Sequence, residues 1–281
     1  MKMIKPVLYA TGLLLMAFAT SYSNALYPQP VADASCRTTN NAFKDGEILT
    51  FKIYYNWNFV WLAAGEVTFK VSEEGNQYHY QARGKTYKSY EWFFTVRDEY
   101  DSWADKTTLL PNYSERSVNE GDYHIFEKIA FNQSTHKMNV WRADKRGAAE
   151  TKTEHAVTDC VHDVLSILYN LRNVDFGNQK IGERSPFRVF MDKEEFPLSM
   201  RYMGREPRKK VYSIGRYKTL KFQPDVIAGK VFKEDTKMTI WVSDDENRIP
   251  LLIESPVSVG SVKMVLKDYW GLKYEFKAKA D

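Results

Sequence analysis

The sequence predicts a mainly β fold, a strongly curved antiparallel sheet or incomplete barrel with one packed α-helix. Apolar residues recur at every second position through most of the chain, the spacing that places them on one face of a pleated strand. The 281 residues include 18 Tyr, 16 Phe and 7 Trp beside 27% charged residues, and mean hydropathy is negative. Aromatic and charged side chains therefore share short segments, as in half-buried strands. One stretch alone, Thr158 to Phe176, has helical spacing. This composition excludes a disordered or low-complexity chain.

Lys2 and Lys5 precede an apolar run from Val7 to Ala19, followed by small and polar residues ending in Ser23-Asn24-Ala25. That is the pattern of a secretory signal peptide over residues 1–25, cut after Ala25. A retained anchor is the competing reading, but so short a run at about 1.5 Å per residue falls short of a hydrocarbon core of about 30 Å. Cleavage removes Lys2 and Lys5 and lowers the formal net charge from +4 to +2. Such a near-neutral mature chain, its cations scattered, is not expected to bind nucleic acid. No later window is long and apolar enough to span a membrane, so the predicted location is periplasmic.

Residues 26–45 form a loose N-terminal arm rich in Pro, Asn and Thr, and residues 46–281 a single β-rich domain with no Pro/Gly/Ser-rich linker. The two cysteines, Cys36 in the arm and Cys160 in mid-chain, are expected to pair in an exported protein. A lipidated Cys36 and two separate thiols are the alternatives. Neither cysteine has partners at zinc spacing, so no metal site is expected.

Strands are read from the alternation of Leu49, Phe51, Ile53 and Tyr55; of Val67, Phe69 and Val71; of Tyr78, Tyr80 and Ala82; and of Tyr123, Ile125, Ile129 and Phe131. Met138 with Val140 continues the series, then Leu198, Met200 and Tyr202; Met238, Ile240 and Val242; Val262, Met264 and Leu266; and Leu272, Tyr274 and Phe276. Turn residues separate them at Glu74-Gly75-Asn76, at Asn119 to Asp122, and at Asp244-Asp245-Glu246-Asn247, which reads as a hairpin loop. The helix is expected at about residues 158–176, with Thr158 or Asp159 as N-cap, Gly177 past its end, and Val161, Val164, Leu165, Leu168 and Leu171 as its apolar stripe. The most basic local run, Glu206 to Lys210, reads first as a solvated loop and second as a contact for an anionic glycan or lipid headgroup.

No nucleophile elbow, zinc helix, phosphate loop or dinucleotide fingerprint is present, and no cofactor is expected. His79, His124 and His136 are expected to be solvated. His155 and His162 flank Cys160, but an oxidised cysteine supplies no thiolate, which argues against a Cys/His dyad. Asp192 with Glu194 and Glu195, like the acids at Asp244 to Glu246, reads as turn chemistry. The more informative clusters are aromatic: Tyr54 to Trp61, and Tyr90 to Phe94. They either fill the sheet core or line an apolar cavity, since an exposed patch of this kind marks a binding surface.

These residues resemble the secreted bacterial family known as domain of unknown function 3108. The similarity is carried by Gly46-Glu47 through Tyr55 into Trp57 to Val71, by Asp163-Val164-Leu165-Ser166 through Arg172 and Phe176, and by Trp241 through Asn247-Arg248-Ile249-Pro250. The family supplies no activity or catalytic residues; the resemblance implies an envelope location. A Trp-bearing strand, acidic turn and Pro-led strand also look like the hairpin of outer-membrane lipoprotein carriers, a likeness of shape only. The expected function is non-enzymatic binding of an apolar or amphipathic envelope component, a lipid, acyl chain or lipoprotein segment, with Trp57, Phe59, Trp61, Trp92 and Phe94 as contacts. The alternatives are a protein-interaction or structural domain of envelope assembly with a self-filled core, and a glycan hydrolase using acids such as Asp98, Glu99 or Asp101.

Overall fold

The computed structural model describes residues 36–57, 60–176, 179–226, 236–257 and 260–280, so the predicted signal peptide lies outside the described residues. The first eight strands are β1 (Ile48–Trp57), β2 (Val60–Glu74), β3 (Gln77–Thr86), β4 (Arg97–Asp105), β5 (Pro111–Glu120), β6 (Tyr123–Asn132), β7 (Lys137–Ala143) and β8 (Thr151–Ala156). The chain continues through β9 (Val161–His162), α1 (Ser166–Leu171), β10 (Arg184–Met191), β11 (Glu194–Val211), β12 (Gly215–Pro224), β13 (Thr239–Ser243), β14 (Pro250–Pro256) and β15 (Ser261–Trp270). All fifteen strands join one sheet, ordered from β8 down to β1, then β15 down to β9. Every pairing is antiparallel except β9 with β10.

The order leaves the sheet unclosed, with β8 and β9 as its edges, yet residues 157–160 alone carry the chain from one edge to the other. The edges must therefore approach, and side chains close the seam. Ile129, Phe131, Met138 and Val140 bury against Val157, Val161 and Phe190, and Gln133 Nε2 donates to the Val161 carbonyl at 2.8 Å. The edge strand β8 reads Thr-Lys-Thr-Glu-His-Ala and is largely exposed, a charged edge that resists pairing with another chain.

The predicted disulfide is present, joining Cys36 to Cys160 with Cα atoms 5.4 Å apart. The helix is shorter than its spacing predicts. Val161 and His162 pair with Arg188 and Val189 as a strand, and Cys160 has φ +58, so the helical path cannot begin at Thr158 or Asp159. Asp163 starts it instead: its Oδ1 accepts the N–H groups of Leu165 at 2.7 Å and Ser166 at 3.0 Å. The expected C-cap Gly177 lies outside the described residues.

The predicted strand through Leu272, Tyr274 and Phe276 is likewise corrected. At Gly271, φ +68, an added Cβ would sit 2.3 Å from the Gly46 carbonyl; the turn there carries the chain away from β1. The segment then runs beside β12, with the Lys218 N–H bonded to the Ala278 carbonyl at 2.7 Å and the Ala280 N–H to that of Arg216 at 2.9 Å. The basic run at Glu206 to Lys210 is not a loop but the bulged end of β11. This end of the β11–β12 hairpin lies back over the convex face: Lys209 Nζ stands 3.6 Å from the Trp241 ring centre, and Tyr212 packs edge-on to Tyr54 at 5.0 Å.

Candidate functional site

The concave side of the sheet is filled from one end by the N-terminal arm and α1. Tyr169 of α1 stacks on Tyr80 of β3 at 4.1 Å and meets Phe43 of the arm edge-on at 5.1 Å. Between α1 and the sheet remains a cavity of about 80 Å³. Leu49, Phe51, Val67, Phe69, Ile253 and Met264 line it from the sheet, and Leu168, Tyr169, Arg172 and Pro250 complete the lining. Among the described residues, Arg172 brings the only charged group to this wall.

Arg172, just past α1, is 6% exposed and its partner Glu47 1%. Its Nη1 and Nη2 donate to the two Glu47 carboxylate oxygens at 2.5 and 2.8 Å. Nε and Nη2 also reach the Asn247 carbonyl at 3.1 and 2.9 Å, and Nη2 the Ala42 carbonyl at 3.1 Å. Burial alone would lower the guanidinium pKa, but the Glu47 carboxylate outweighs it and the net shift is upward. One side chain thus ties the arm, β1, the helix end and the β13–β14 turn together. The three sequence stretches that carry the family resemblance contribute Glu47, Arg172 and Asn247, and they converge here.

A second buried layer is polar. Arg116 of β5 bonds Glu127 of β6 at 2.8 Å and Asp192 of the β10–β11 turn at 2.6 Å, and Arg142 of β7 reaches Asp192 at 3.2 Å, pinning the seam. Asp98 accepts the Asn119 N–H at 2.9 Å. Its pKa is pushed up to about 7 by burial, against the opposing pull of that N–H, of Glu120 and of Arg116. Burial drives His162 the other way, to about 3, so it is neutral in the fold. Its Nδ1 lies 3.1 Å from Ser166 Oγ, while Ser102 Oγ donates to Asp163 at 2.5 Å. His162 and Asp163 are thus engaged in buried structural hydrogen bonds, and Cys160 is held in its disulfide.

Of the residues expected to contact ligand, the described side chains of Trp61, Trp92 and Phe94 do not line the cavity. The backbone of Trp57 pairs with Val60 at the β1–β2 tip; its side chain and all of Phe59 lie outside the described residues. Trp61 is half-buried under Lys263, whose Nζ is 4.1 Å from the ring centre. Trp92, 82% exposed, meets Phe93 edge-on at 5.8 Å. Phe94 is half-buried over Gly121, where a Cβ would come within 2.8 Å of its ring. Alternate connections of β1 to β6, all at one end, place Val60, Trp92, Phe94 and Tyr123 in an apolar rim outside the cavity lining.

The acids weighed for hydrolysis are divided too. Asp98 is buried, Glu99 pairs with Arg146 on the outer face at 3.3 Å, and Asp101 is held by His79 at 2.9 Å and Arg83 at 2.7 Å. Burial would raise the Asp101 pKa, but those donors and Gln81 bring it down to about 2. Contrary to expectation His79 is not solvated: it is buried between Glu74 and Asp101 and stacks on Trp103 at 4.1 Å. Asp98 and Glu99, neighbours on β4, both border one surface pocket, and Asp101 is not part of its lining.

Residues 50–267 match a family model described as a protein of unknown function, DUF3108. No curated protein matches the chain. A β-barrel-like protein of domain of unknown function DUF1849 from Brucella abortus aligns with a TM-score of 0.55 at 9% identity, over 83% of this chain and all of that one. A protein from Bacteroides fragilis described as exported, with a YmcC-like fold, aligns with a TM-score of 0.34 at 8% identity, over 83% of this chain and 99% of that one. One from Parabacteroides distasonis described as a lipoprotein gives 0.30 at 12%, with the same two coverages. The likeness to the Brucella protein is one of fold. Among the described residues no helix is long and apolar enough to cross a membrane.

Proposed function

The chain belongs to the DUF3108 family of unknown function, and we propose that it is an exported, non-enzymatic envelope protein that binds an apolar or amphipathic component, an acyl chain or lipoprotein segment, between α1 and its sheet. The observation that carries this reading is the cavity of about 80 Å³ with its almost wholly apolar lining. An apolar lining of this kind favours an apolar guest over water. It takes a short apolar end of such a ligand beside Leu168 and Tyr169. The exposed Trp92 rim offers a first contact for such a ligand. The disulfide supports export, because such bonds persist in oxidising compartments.

The test is delipidated mature protein titrated with a monomeric fatty acid. Saturable binding that Ile253→Phe abolishes, with folding intact, supports the reading; binding indifferent to Ile253→Phe sinks it. A second reading draws on the cavity's size, well below the roughly 300 to 1,000 Å³ of most ligand pockets. In it the core is self-filled and the Trp92 rim docks on an envelope protein. That reading predicts no fatty-acid binding and a Trp92-dependent crosslink in intact cells.

A further inference from the structure

The β11–β12 hairpin has two unlike faces. Lys209, Val211 and Tyr217 turn toward the body of the protein: Lys209 lies over Trp241, Val211 is fully buried, and Tyr217 packs against Phe276 at 6.0 Å. The alternating positions Arg208, Lys210, Arg216 and Lys218 are exposed and share the opposite face. Lys210 stands directly across from Arg216 in the strand register, a like-charge pair that opposes pairing. Nearby acids are already engaged, Glu206 with Lys221 at 3.4 Å and Asp244 with Arg205 at 3.5 Å. At the tip Tyr212 is 42% exposed. In a chain whose charges almost cancel, this face concentrates cations, and at its end the Tyr212 ring leans on Tyr54 with part of it left open.

We propose that the outer face of the β11–β12 hairpin is a docking surface for an anionic phospholipid membrane, with Lys210, Arg216 and Lys218 on lipid phosphates and Tyr212 at the headgroup boundary. An extended cationic face beside an exposed tyrosine matches a planar array of phosphates with an apolar layer beneath it. This goes beyond the ligand reading above and does not depend on the cavity. Each basic residue at an anionic membrane surface is worth about fivefold in affinity. Reversing one charge therefore costs about twenty-five-fold.

The experiment is sedimentation of the mature protein with phosphatidylcholine vesicles, with and without phosphatidylglycerol, across a salt series. The expected result is binding only to the phosphatidylglycerol vesicles, weakening as salt rises. Lys210→Glu should lose about twenty-five-fold in vesicle affinity while melting no lower than the parent, since it places an acid opposite Arg216. Lys85→Glu, an equal change in net charge on the exposed face of β3, should leave binding within about twofold. No binding to anionic vesicles at low salt overturns the proposal. So does equal loss in Lys85→Glu and Lys210→Glu, or full competition by inorganic phosphate, which assigns the face to a free anion. The fatty-acid titration uses no vesicle, so either proposal can fail alone.

Discussion

Arg172→Met should be among the most damaging single substitutions in this protein. It deletes the bidentate bond to Glu47, a carboxylate 1% exposed, together with the bonds to the Asn247 and Ala42 carbonyls. Removing one partner of a buried ion pair leaves the other charge uncompensated and costs about 3 to 5 kcal/mol. At this chain length each kcal/mol lowers Tm by about 2 to 4 °C, so the variant should melt about 6 to 20 °C lower. Glu47→Gln/Arg172→Met removes both charges and should regain a substantial part of that loss, because the stranded carboxylate is gone. Urea melts of wild type, both single variants and the double variant give the coupling directly. A loss under about 1 kcal/mol in Arg172→Met, or additive losses in the double variant, would refute the assignment of Arg172 as the tie between arm, helix and turn.

Opening the disulfide should also destabilise. The Cys36–Cys160 bond closes a loop of 124 residues, for which chain entropy sets a ceiling of about 5 kcal/mol. Cys36→Ser/Cys160→Ser should lose about 2 to 4 kcal/mol, and non-reduced peptide mapping of wild type should return one linked pair. Asp98 makes stability fall with rising pH, because its folded pKa of about 7 exceeds the unfolded value near 3.9; its contribution is full below pH 4 and lost as pH climbs through 7. Asp98→Asn should therefore match wild type near pH 4 and exceed it by up to about 4 kcal/mol at pH 8; a gap that does not widen with pH would contradict this. His162 acts oppositely: its folded pKa of about 3 lies below the unfolded value near 6.5, so its contribution is lost as pH falls from 6.5 by about 1.4 kcal/mol per unit. Melts of His162→Gln should close on wild type as pH falls. Trp92→Ala should change stability by less than about 0.5 kcal/mol, and any loss of ligand or partner binding in it is then a contact effect.

The curved antiparallel sheet was legible because β1, β2, β3, β6 and β15 alternate apolar with polar residues. The Asp244 to Asn247 turn was legible too: Asp245 Oδ1 accepts the Asn247 N–H at 3.1 Å and the Ser243 hydroxyl at 2.8 Å, chemistry its residue types announce. Strands β4 and β5 were not, because Asp98, Ser102, Ser114, Arg116 and Glu120 take inward positions between Tyr100, Ala104 and Val118, and polar residues on the inward face break up the period-two signal. The helix was overextended because Val161 fits a helical stripe equally well when it serves as an edge strand. The cavity lining was hidden for a different reason. Phe51, Phe69 and Met264 look like any core residues, and only the fold shows that they stop short of Leu168. Trp92, conspicuous in composition, lies at the rim because it sits in the connection between β3 and β4.

A guest held between α1 and the sheet should survive isolation of the protein from the envelope. Native mass spectrometry of mature protein, delipidated and then equilibrated with envelope membranes, tests this most directly. Wild type should carry one acyl-bearing ligand per chain, and folded Ile253→Phe should carry none. A chain that returns ligand-free, or an Ile253→Phe variant that retains the ligand, would contradict this.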